Sequence, residues 1–448
     1  MLKKGTVSAI GIIIATVILL CTFCVPAAAY TPSSFEITAE ACVLASIDTN
    51  AVIYEKNADE KLFPASLTKI MTAAVVLDEC ASPESEKITV TEEALMPLMG
   101  TDSAVFGLKV NEEFTVLDML YVMLVHSAND AANAFAVKYG NGSISDFVTK
   151  MNNKAVSLGM LNTHFVNPHG LQNENHYTTA RDMYILTSEM LKNETFKKIV
   201  GTVRYSLPAT NLSGPRTVAT TVFLQDPNCP VQDYYYRYAD GVKTGYTDEA
   251  GRCLISTATK NGISYICVLL KCPVRENGVM VRREFTDSKK LYNWVFSDFE
   301  YKQVYDDVTP VGESPVELGK GYDHVPLCLK HQVSAVLPKT ADNSTVKVDI
   351  KLNSEVATAP IEKGQVLGTA TIKYAGNDVE TVEVVALNAV ERNEFLAAIK
   401  FLMNIISSKI FKTVLLIIVI LVVLFIVWCA YLNRKRNRRR KKYKRYKK

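Results

Sequence analysis

Three short polar motifs carry the side chains that could do chemistry, and the first pairs a serine with a lysine. Ser66 and Lys69 belong to the segment Pro64-Ala65-Ser66-Leu67-Thr68-Lys69, where an apolar run begins. Residues three apart lie on one face of a helix. Burial lowers the pKa of a lysine, and the neutral amine can then take the proton of a serine hydroxyl. The pair fits an activated nucleophile, although this spacing alone is more often structural than catalytic.

The second motif is Ser127-Ala128-Asn129-Asp130, which interrupts two apolar stretches predicted to be helical. Serine, asparagine and aspartate all begin helices well, so an ordinary helix cap explains the segment when it is taken alone. In a functional interpretation, Ser127 and Asn129 face a cleft. Ser127 then relays a proton, and Asn129 holds a substrate amide.

The third motif is the Lys-Thr-Gly triplet at Lys243, Thr244 and Gly245. The first two side chains could bind a substrate carboxylate. A glycine at the third position lets a substrate backbone approach closely, as an added β-strand. The triplet alone is a weak signal.

Together and in this order, the three motifs resemble those of the serine D-alanyl-D-alanine carboxypeptidases, the low-molecular-mass penicillin-binding proteins. Five longer stretches are also similar to this family. The small β domain and the C-terminal membrane anchor follow in the family's order, so the resemblance covers nearly the whole exported chain. The five stretches are Phe63–Ala73, His126–Ala131, Phe165–Leu171, Thr178–Met183 and Asp240–Gly251.

The resemblance implies a two-step acyl transfer. Ser66 would attack the carbonyl between the last two D-alanines of a peptidoglycan stem peptide, with Lys69 as the base. Ser127 would pass a proton to the leaving D-alanine, and Asn129 would hold the substrate and orient Lys69. Water would then release the shortened peptide. Penicillin mimics the D-Ala-D-Ala end and should acylate the same serine.

The resemblance also implies how the substrate is held. Lys243 and Thr244 would bind its terminal carboxylate, beside Gly245. The backbone N–H groups of Ser66 and Tyr246 would form the oxyanion hole. Tyr246 occupies a position that varies in the family, so it leaves the side-chain preference open. No metal or organic cofactor is expected.

Helical and strand-like stretches alternate between residues 30 and 300, which predicts an α/β (α+β) fold with an antiparallel sheet. The resemblance makes this a catalytic domain like those of the serine β-lactamases and DD-peptidases. Asn261-Gly262 predicts a hairpin between two strands. Short alternating runs over residues 301–390 predict a small all-β domain. The predicted helices are Ile70–Leu77, Val116–Val125, Ala131–Lys138, 146–158, 180–192 and Lys289–Phe299.

Both ends of the sequence carry membrane signals. Residues 1–29 have two lysines, an uncharged apolar run and a final Ala27-Ala28-Ala29, the pattern of a secretory signal peptide cleaved after Ala29; an uncleaved anchor is the alternative. Residues 413–432 include the uncharged stretch Val414–Leu432, long enough to cross a membrane. The basic tail, residues 433–448, is predicted to be cytoplasmic, which places the domains outside.

Residues 391–412, before the predicted span, form an amphipathic juxtamembrane segment. Its apolar residues recur at steps of three and four, so it is predicted to be a helix lying along the outer membrane surface. A helix packed on its own domain is the alternative.

The charge distribution argues against a nucleic-acid binder. The chain has a net charge of +4, but residues 434–448 hold twelve basic residues and no acidic one. Without these and Lys3 and Lys4, acidic residues outnumber basic ones by ten. A nucleic-acid-binding domain carries its basic residues on the folded part.

The remaining titratable residues are predicted to be structural. No Cys-x-x-Cys pair lies beyond the predicted signal peptide, so a zinc site is not expected. His169 belongs to an Asn-Pro-His-Gly turn, and the other histidines lack metal-ligand spacing. Asp130, Arg181 and Asp182 are expected to brace the fold. Arg252, Arg282 and Arg283 are not predicted as substrate ligands.

Four alternatives to a carboxypeptidase remain at this point. One is a structural tether built from an inactive copy of the fold, which would not be acylated. A D,D-endopeptidase or a β-lactamase would use the same nucleophile. A non-catalytic penicillin sensor would signal through the membrane span. The oligomeric state is not predicted.

Overall fold

The computed structural model describes residues 36–341, 346–374 and 377–445. The predicted signal peptide lies outside the described residues. The described chain forms two compact units. The first comprises residues 36–304 with Ser334–Lys347 and Lys373–Glu380, and the second comprises Tyr305–Val333, Val348–Ile372 and residues 381–445.

The elements up to residue 305 alternate between helices and strands, as the sequence predicts. In chain order the strands are β1 (Ala41–Ser46), β2 (Val52–Lys56), β3 (Lys87–Thr89), β4 (Glu113–Thr115), β5 (Arg204–Leu207), β6 (Arg216–Ala219), β7 (Ala239–Thr247), β8 (Gly251–Lys260), β9 (Ile263–Cys272), β10 (Arg275–Glu276), β11 (Val279–Met280) and β12 (Phe299–Tyr305). The helices are α1 (Lys69–Glu79), α2 (Glu92–Leu95), α3 (Val116–Leu124), α4 (Asn129–Tyr139), α5 (Ile144–Ser157), α6 (Ala180–Met190), α7 (Glu194–Val200) and α8 (Arg283–Asp298).

A five-stranded antiparallel sheet organises the first unit, in the order β2-β1-β9-β8-β7. The predicted Asn-Gly hairpin joins β8 to β9, with Lys260 paired to Ile263. Asn261 and Gly262 have φ angles of 55° and 80°, values that a two-residue hairpin turn requires and that these two residues tolerate. β7, which carries the Lys-Thr-Gly triplet, is an edge strand of this sheet.

Both faces of the sheet are covered, which explains why β1 is apolar at consecutive positions. Ala41, Val43 and Ala45 belong to one buried core, together with α1, α3 and α4. Cys42 and Leu44 belong to a second core, together with α8. Successive side chains of a strand point to opposite faces, so a strand covered on both sides loses the usual apolar–polar alternation.

The cysteines between residues 36 and 341 pack as small apolar side chains. All seven are buried and none forms a disulfide within the described part of the chain. Burial raises the pKa of the Cys253 thiol to about 12, which disfavours its reactive thiolate form.

α8 begins six residues earlier than the sequence predicts. Its first turns bury the polar residues Glu284, Asp287 and Ser288, so the apolar periodicity is visible only from Lys289 onward. Asp287 Oδ2 accepts hydrogen bonds from the backbone N–H of Thr38 at 2.6 Å and from its hydroxyl at 2.8 Å. Buried polar residues with hydrogen-bond partners do not follow the apolar spacing from which a helix is predicted.

After β12 the chain is rich in strands, as predicted for this region. The strands are β13 (Gly312–Glu317), β14 (His324–Leu329), β15 (Val333–Pro338), β16 (Val346–Leu352), β17 (Ala357–Thr358), β18 (Val366–Tyr374) and β19 (Asn377–Ala386). Six of them form one sheet in the order β16-β18-β19-β14-β13-β17.

Two helices follow the strands, α9 (Glu394–Ser407) and α10 (Lys409–Arg445). The Asn393 side chain caps α9 by accepting the backbone N–H of Leu396 at 3.2 Å. Apolar side chains of α9 such as Phe395, Phe401 and Leu402 are exposed. Residues Lys409–Arg438 of α10 are long enough and apolar enough to cross a membrane.

Candidate active site

The serine and lysine of the first motif lie in contact at the start of α1. Ser66 belongs to a 3-10 turn, Ala65–Thr68, and Lys69 is the first residue of the helix. The Nζ atom of Lys69 lies 2.9 Å from Ser66 Oγ. The residues after Lys69 are almost all apolar and buried, so packing of α1 into the core fixes the lysine beside the serine.

Lys69 is completely buried and has three oxygen neighbours. Besides Ser66 Oγ, its Nζ donates to Asn129 Oδ1 at 2.6 Å and to the carbonyl oxygen of His169 at 3.1 Å. Burial, aided by the positive charge of Lys243, holds the pKa of Lys69 well below its ordinary value, and the negative charge of Asp130 opposes this shift. A neutral Lys69 keeps two donors for Asn129 and His169 and offers its lone pair to the Ser66 hydroxyl.

The second motif lies in the tight connection between α3 and α4. Ser127 has a φ of 71°, a left-handed conformation that is uncommon for serine, and Asn129 is the first residue of α4. The backbone N–H of Asn129 donates to the carbonyl of Ala104 at 2.7 Å. This connection brings Asn129 against Lys69 and leaves Ser127 on the wall of a cleft.

Asp130 braces this connection, as predicted. Its carboxylate accepts the backbone N–H groups of Phe106 and Gly107 at 3.0 Å and of Leu108 at 3.1 Å. The loop that precedes these residues also lines the cleft, through Asp102, Ser103 and Ala104. Asp130 therefore ties one cleft wall to the start of α4.

The third motif lies on β7, and its lysine is buried. Lys243 is fully inaccessible to solvent, and its Nζ donates to the carbonyl of Thr244 at 3.0 Å. Burial lowers the pKa of Lys243 to about 7. The hydroxyl of Thr244 lies 2.6 Å from that of Thr221.

Gly245 is the point where β7 meets the Ala65–Thr68 turn, which carries Ser66. A Cβ atom at this position would lie 2.9 Å from the carbonyl oxygen of Pro64 and 3.2 Å from the backbone nitrogen of Ser66. The absent side chain therefore permits contact between strand and turn. The next residue, Tyr246, is partly exposed and packs under the guanidinium of Arg252, 4.9 Å from its ring centre.

A cleft of about 770 Å³ collects most of the predicted site residues. Lys69 and Lys243 are buried and do not line it. The predicted residues that line the cleft are Ser66, Ser127, Asn129, Thr244, Gly245 and Tyr246.

The cleft also has lining residues that the sequence analysis did not single out for the site. Thr221, Arg252 and Arg282 contribute to its wall, as does His169. The Arg282 guanidinium lies over Phe285, and its Nε donates to Glu284 at 2.5 Å. His169 belongs to the family-like stretch Phe165–Leu171. The other three positions lie outside the predicted motifs and stretches, and only folding brings them to the cleft.

The other predicted bracing residues also make structural contacts. Arg181 pairs with Asp59 at 2.8 Å and with Glu55 at 2.9 Å. Asp182 accepts the backbone N–H of Asn162 at 2.9 Å and the hydroxyl of Thr163 at 2.7 Å. Over the part of the chain that the structure describes, no group of three or more His, Cys, Asp or Glu side chains is arranged to hold a metal ion.

Two family models match successive parts of the chain. Residues 27–273 match the D-alanyl-D-alanine carboxypeptidase family of peptidases. Residues 299–392 match the C-terminal domain of penicillin-binding protein 5.

Individual relatives agree with these matches. The D-alanyl-D-alanine carboxypeptidase DacF of Bacillus subtilis is 35% identical over 81% of this chain and 88% of its own length. A D-alanyl-D-alanine endopeptidase of Escherichia coli is 32% identical over 60% of this chain and 81% of its own. The crystal structure of penicillin-binding protein 5 from Haemophilus influenzae aligns with a TM-score of 0.62 at 29% identity, covering 81% of this chain and 100% of that one. The chain therefore belongs to the D-alanyl-D-alanine carboxypeptidase family of serine peptidases.

Proposed function

We propose that this enzyme removes the terminal D-alanine from peptidoglycan stem peptides through an acyl-enzyme on Ser66. The observation that carries the proposal is the 2.9 Å contact between Ser66 Oγ and the Nζ of a fully buried lysine. A buried amine with a lowered pKa is available as a base near neutral pH, where a serine hydroxyl alone is a weak nucleophile.

Acylation begins when neutral Lys69 accepts the hydroxyl proton of Ser66. The Ser66 oxygen then bonds to the carbonyl carbon of the penultimate D-alanine. Negative charge develops on the carbonyl oxygen, and the backbone N–H groups of Ser66 and Tyr246 stabilise it. The contact between β7 and the nucleophile turn at Gly245 supports this pairing of donors, because Tyr246 is the next residue on the strand.

Departure of D-alanine requires a proton on its nitrogen as the C–N bond breaks. The Ser127 hydroxyl, on the cleft wall, relays that proton from the protonated lysine. Asn129 keeps Lys69 oriented through the 2.6 Å contact and holds the substrate amide. A water molecule then attacks the ester, Lys69 acts as base again, and the shortened peptide leaves.

The terminal carboxylate of the substrate binds at Thr244, whose side chain faces the cleft. Lys243 supplies positive charge from its buried position behind that threonine. β7 is an edge strand, so the stem peptide can add to it by backbone hydrogen bonds beside Gly245. Penicillin carries a carboxylate and a reactive carbonyl at matching places and acylates Ser66. In the proposed reaction, neither acylation nor hydrolysis of the acyl-enzyme uses a metal or an organic cofactor.

The test is release of D-alanine from a pentapeptide that ends in D-Ala-D-Ala, with the full chain in detergent. The wild type releases one D-alanine per peptide, and Ser66→Ala releases none above the uncatalysed rate. A matched peptide that ends in D-Ala-L-Ala serves as the substrate control. Equal release by wild type and Ser66→Ala would refute the proposal.

An endopeptidase activity at the same site is the second candidate, because one relative bears that name and is 32% identical over most of its own length. Such an enzyme cuts the D-alanyl bond of a cross-linked peptide dimer. Parallel assays of the pentapeptide and the dimer decide between the two. A carboxypeptidase has the higher kcat/KM on the pentapeptide.

For the whole chain we propose an exported, membrane-attached arrangement. Residues 1–29 direct export, and residues 30–300 and 301–390 form the catalytic and β-rich domains outside the membrane. Residues 391–412 lie at its surface, residues 413–432 cross it, and the basic tail, residues 433–448, is cytoplasmic. The exposed apolar side chains of α9 and the apolar length of α10 support this order.

A further inference from the structure

A buried hydrogen-bond relay ends at the residue before the nucleophile. The hydroxyl oxygen of Thr68 lies 2.8 Å from Nε2 of His176 and 2.8 Å from the carbonyl oxygen of Ala65. Thr68 is fully buried, and Ala65 and His176 are nearly so. The mechanism described above assigns no role to either Thr68 or His176.

The surrounding contacts determine which group donates in each hydrogen bond of the relay. Nδ1 of His176 accepts the backbone N–H of Val166 at 3.2 Å, so in the neutral ring the hydrogen sits on Nε2. Burial lowers the pKa of His176 to about 3, and the ring stays neutral at physiological pH. Nε2 therefore donates to the Thr68 hydroxyl, whose own hydrogen is donated to Ala65, because a carbonyl oxygen can only accept.

The Ala65 carbonyl is held on a second side by backbone. Ala65 has a φ of 47°, a left-handed conformation that is unfavourable for alanine. A Cβ atom on Gly170 would lie 1.8 Å from this carbonyl oxygen and 2.9 Å from Thr68 Oγ1. The carbonyl oxygen of Ala65 is therefore confined to one position, by the backbone of Gly170 on one side and by the Thr68 hydroxyl on the other.

The orientation of that oxygen determines the orientation of a catalytic donor. The Ala65 carbonyl and the Ser66 N–H belong to the same peptide unit, which is planar, and in a trans peptide they point in opposite directions. Fixing the carbonyl toward Thr68 therefore aims the N–H away from it. The Ser66 nitrogen lies beside β7, where a Cβ atom on Gly245 would be 3.2 Å away.

We infer that Thr68 and His176 are positioning residues, which aim the Ser66 N–H at the developing oxyanion. The inference rests on the proposed acyl-enzyme at Ser66. An oxyanion-hole donor acts only when it is directed at the place where charge appears. Neither residue touches the substrate; both act through the peptide between Ala65 and Ser66.

The experiment compares Thr68→Val, which loses the hydroxyl at nearly equal volume, with Thr68→Ser, which keeps it. Full-length variants in detergent react with benzylpenicillin, and stopped-flow traces separate the initial binding constant from the acylation rate constant. Thr68→Val should acylate roughly ten-fold more slowly or worse, with initial binding within about two-fold of wild type. Thr68→Ser should retain a rate close to wild type.

Infrared difference spectra of the acyl-enzyme supply a readout that a purely structural role would leave unchanged. Hydrogen bonds in the oxyanion hole weaken the ester C=O bond, so a misaimed donor moves its stretch to higher wavenumber. This shift is expected for Thr68→Val and absent for Thr68→Ser. His176→Leu keeps the hydroxyl but removes its anchor, and should shift the stretch in the same direction by a smaller amount.

Several outcomes would overturn the inference. One is Thr68→Val with the wild-type rate and wild-type C=O frequency. Another is a slow Thr68→Val enzyme whose C=O frequency is unchanged, because the defect is then not in the oxyanion hole. If Thr68→Val does not fold, a wild-type rate and frequency in His176→Leu overturns it. A wild-type enzyme that forms no adduct at all would instead refute the proposed function.

Discussion

Asn129 Oδ1 lies 2.6 Å from the Nζ of Lys69, and both side chains are buried. The two residues belong to different motifs on different helices, so this contact joins the start of α4 to Lys69, the proposed base, at the start of α1. It leaves the lysine with a fixed orientation toward Ser66. A small chemical change at residue 129 should therefore act directly on the amine of Lys69.

Asn129→Asp should move the pH dependence of the reaction. A carboxylate beside Lys69 stabilises its charged form and raises its pKa by roughly one unit or more. The proposed mechanism needs neutral Lys69, so the rising limb of kcat/KM against pH should shift to higher pH. A pH profile of D-alanine release measures this. An unshifted limb would show that Lys69 is not the base.

Lys243→Met should also move the rising limb of the kcat/KM profile to higher pH, but for a different reason. The positive charge of Lys243 is one cause of the lowered pKa of Lys69, and methionine fills similar space without charge. Loss of that charge raises the pKa of Lys69, so activity appears only at higher pH. KM for the pentapeptide should also rise, since the carboxylate loses its positive neighbour. Unchanged KM would remove Lys243 from substrate binding.

Asp130→Asn should move the rising limb of the kcat/KM profile in the opposite direction, to lower pH. The negative charge of Asp130 raises the pKa of Lys69 against the effects of burial and Lys243. Without it the pKa of Lys69 falls further, and the rising limb moves to lower pH. The measurement is again kcat/KM for the pentapeptide from acid to neutral pH. A shift to higher pH would contradict the electrostatic account of the site.

Gly245→Ala should slow acylation without unfolding the protein. The new Cβ would lie 2.9 Å from the Pro64 carbonyl oxygen, so β7 or the Ala65–Thr68 turn must move by a few tenths of an ångström. Displacement of this size at the reacting groups costs roughly ten-fold or more in acylation rate. Gly214→Ala is the matched control, because nothing lies within 4 Å of its Cβ position. Equal rates for both variants would mean that the close contact has no catalytic consequence.

The sequence predicts relationships between neighbouring residues better than it predicts contacts between distant ones. The spacing of Ser66 and Lys69 puts them on one helical turn, and Asn-Gly at residue 261 specifies the β8–β9 hairpin, because both relationships are local. The contacts of Thr68 with His176 and of Gly245 with Ser66 join residues far apart in the chain. No local pattern encodes such contacts. The early start of α8 escaped prediction because buried polar residues interrupt the apolar spacing.

The intact mass of the full chain after reaction with benzylpenicillin, followed over time for wild type and Ser66→Ala, tests Ser66 as the nucleophile. We expect one penicilloyl group per wild-type chain, lasting minutes or longer, mapped to the peptide that contains Ser66, and no adduct on Ser66→Ala. A rapidly lost adduct with continuous penicillin hydrolysis would identify a β-lactamase instead. Folded wild-type protein without an adduct, or an equal adduct on Ser66→Ala, would contradict Ser66 as the nucleophile.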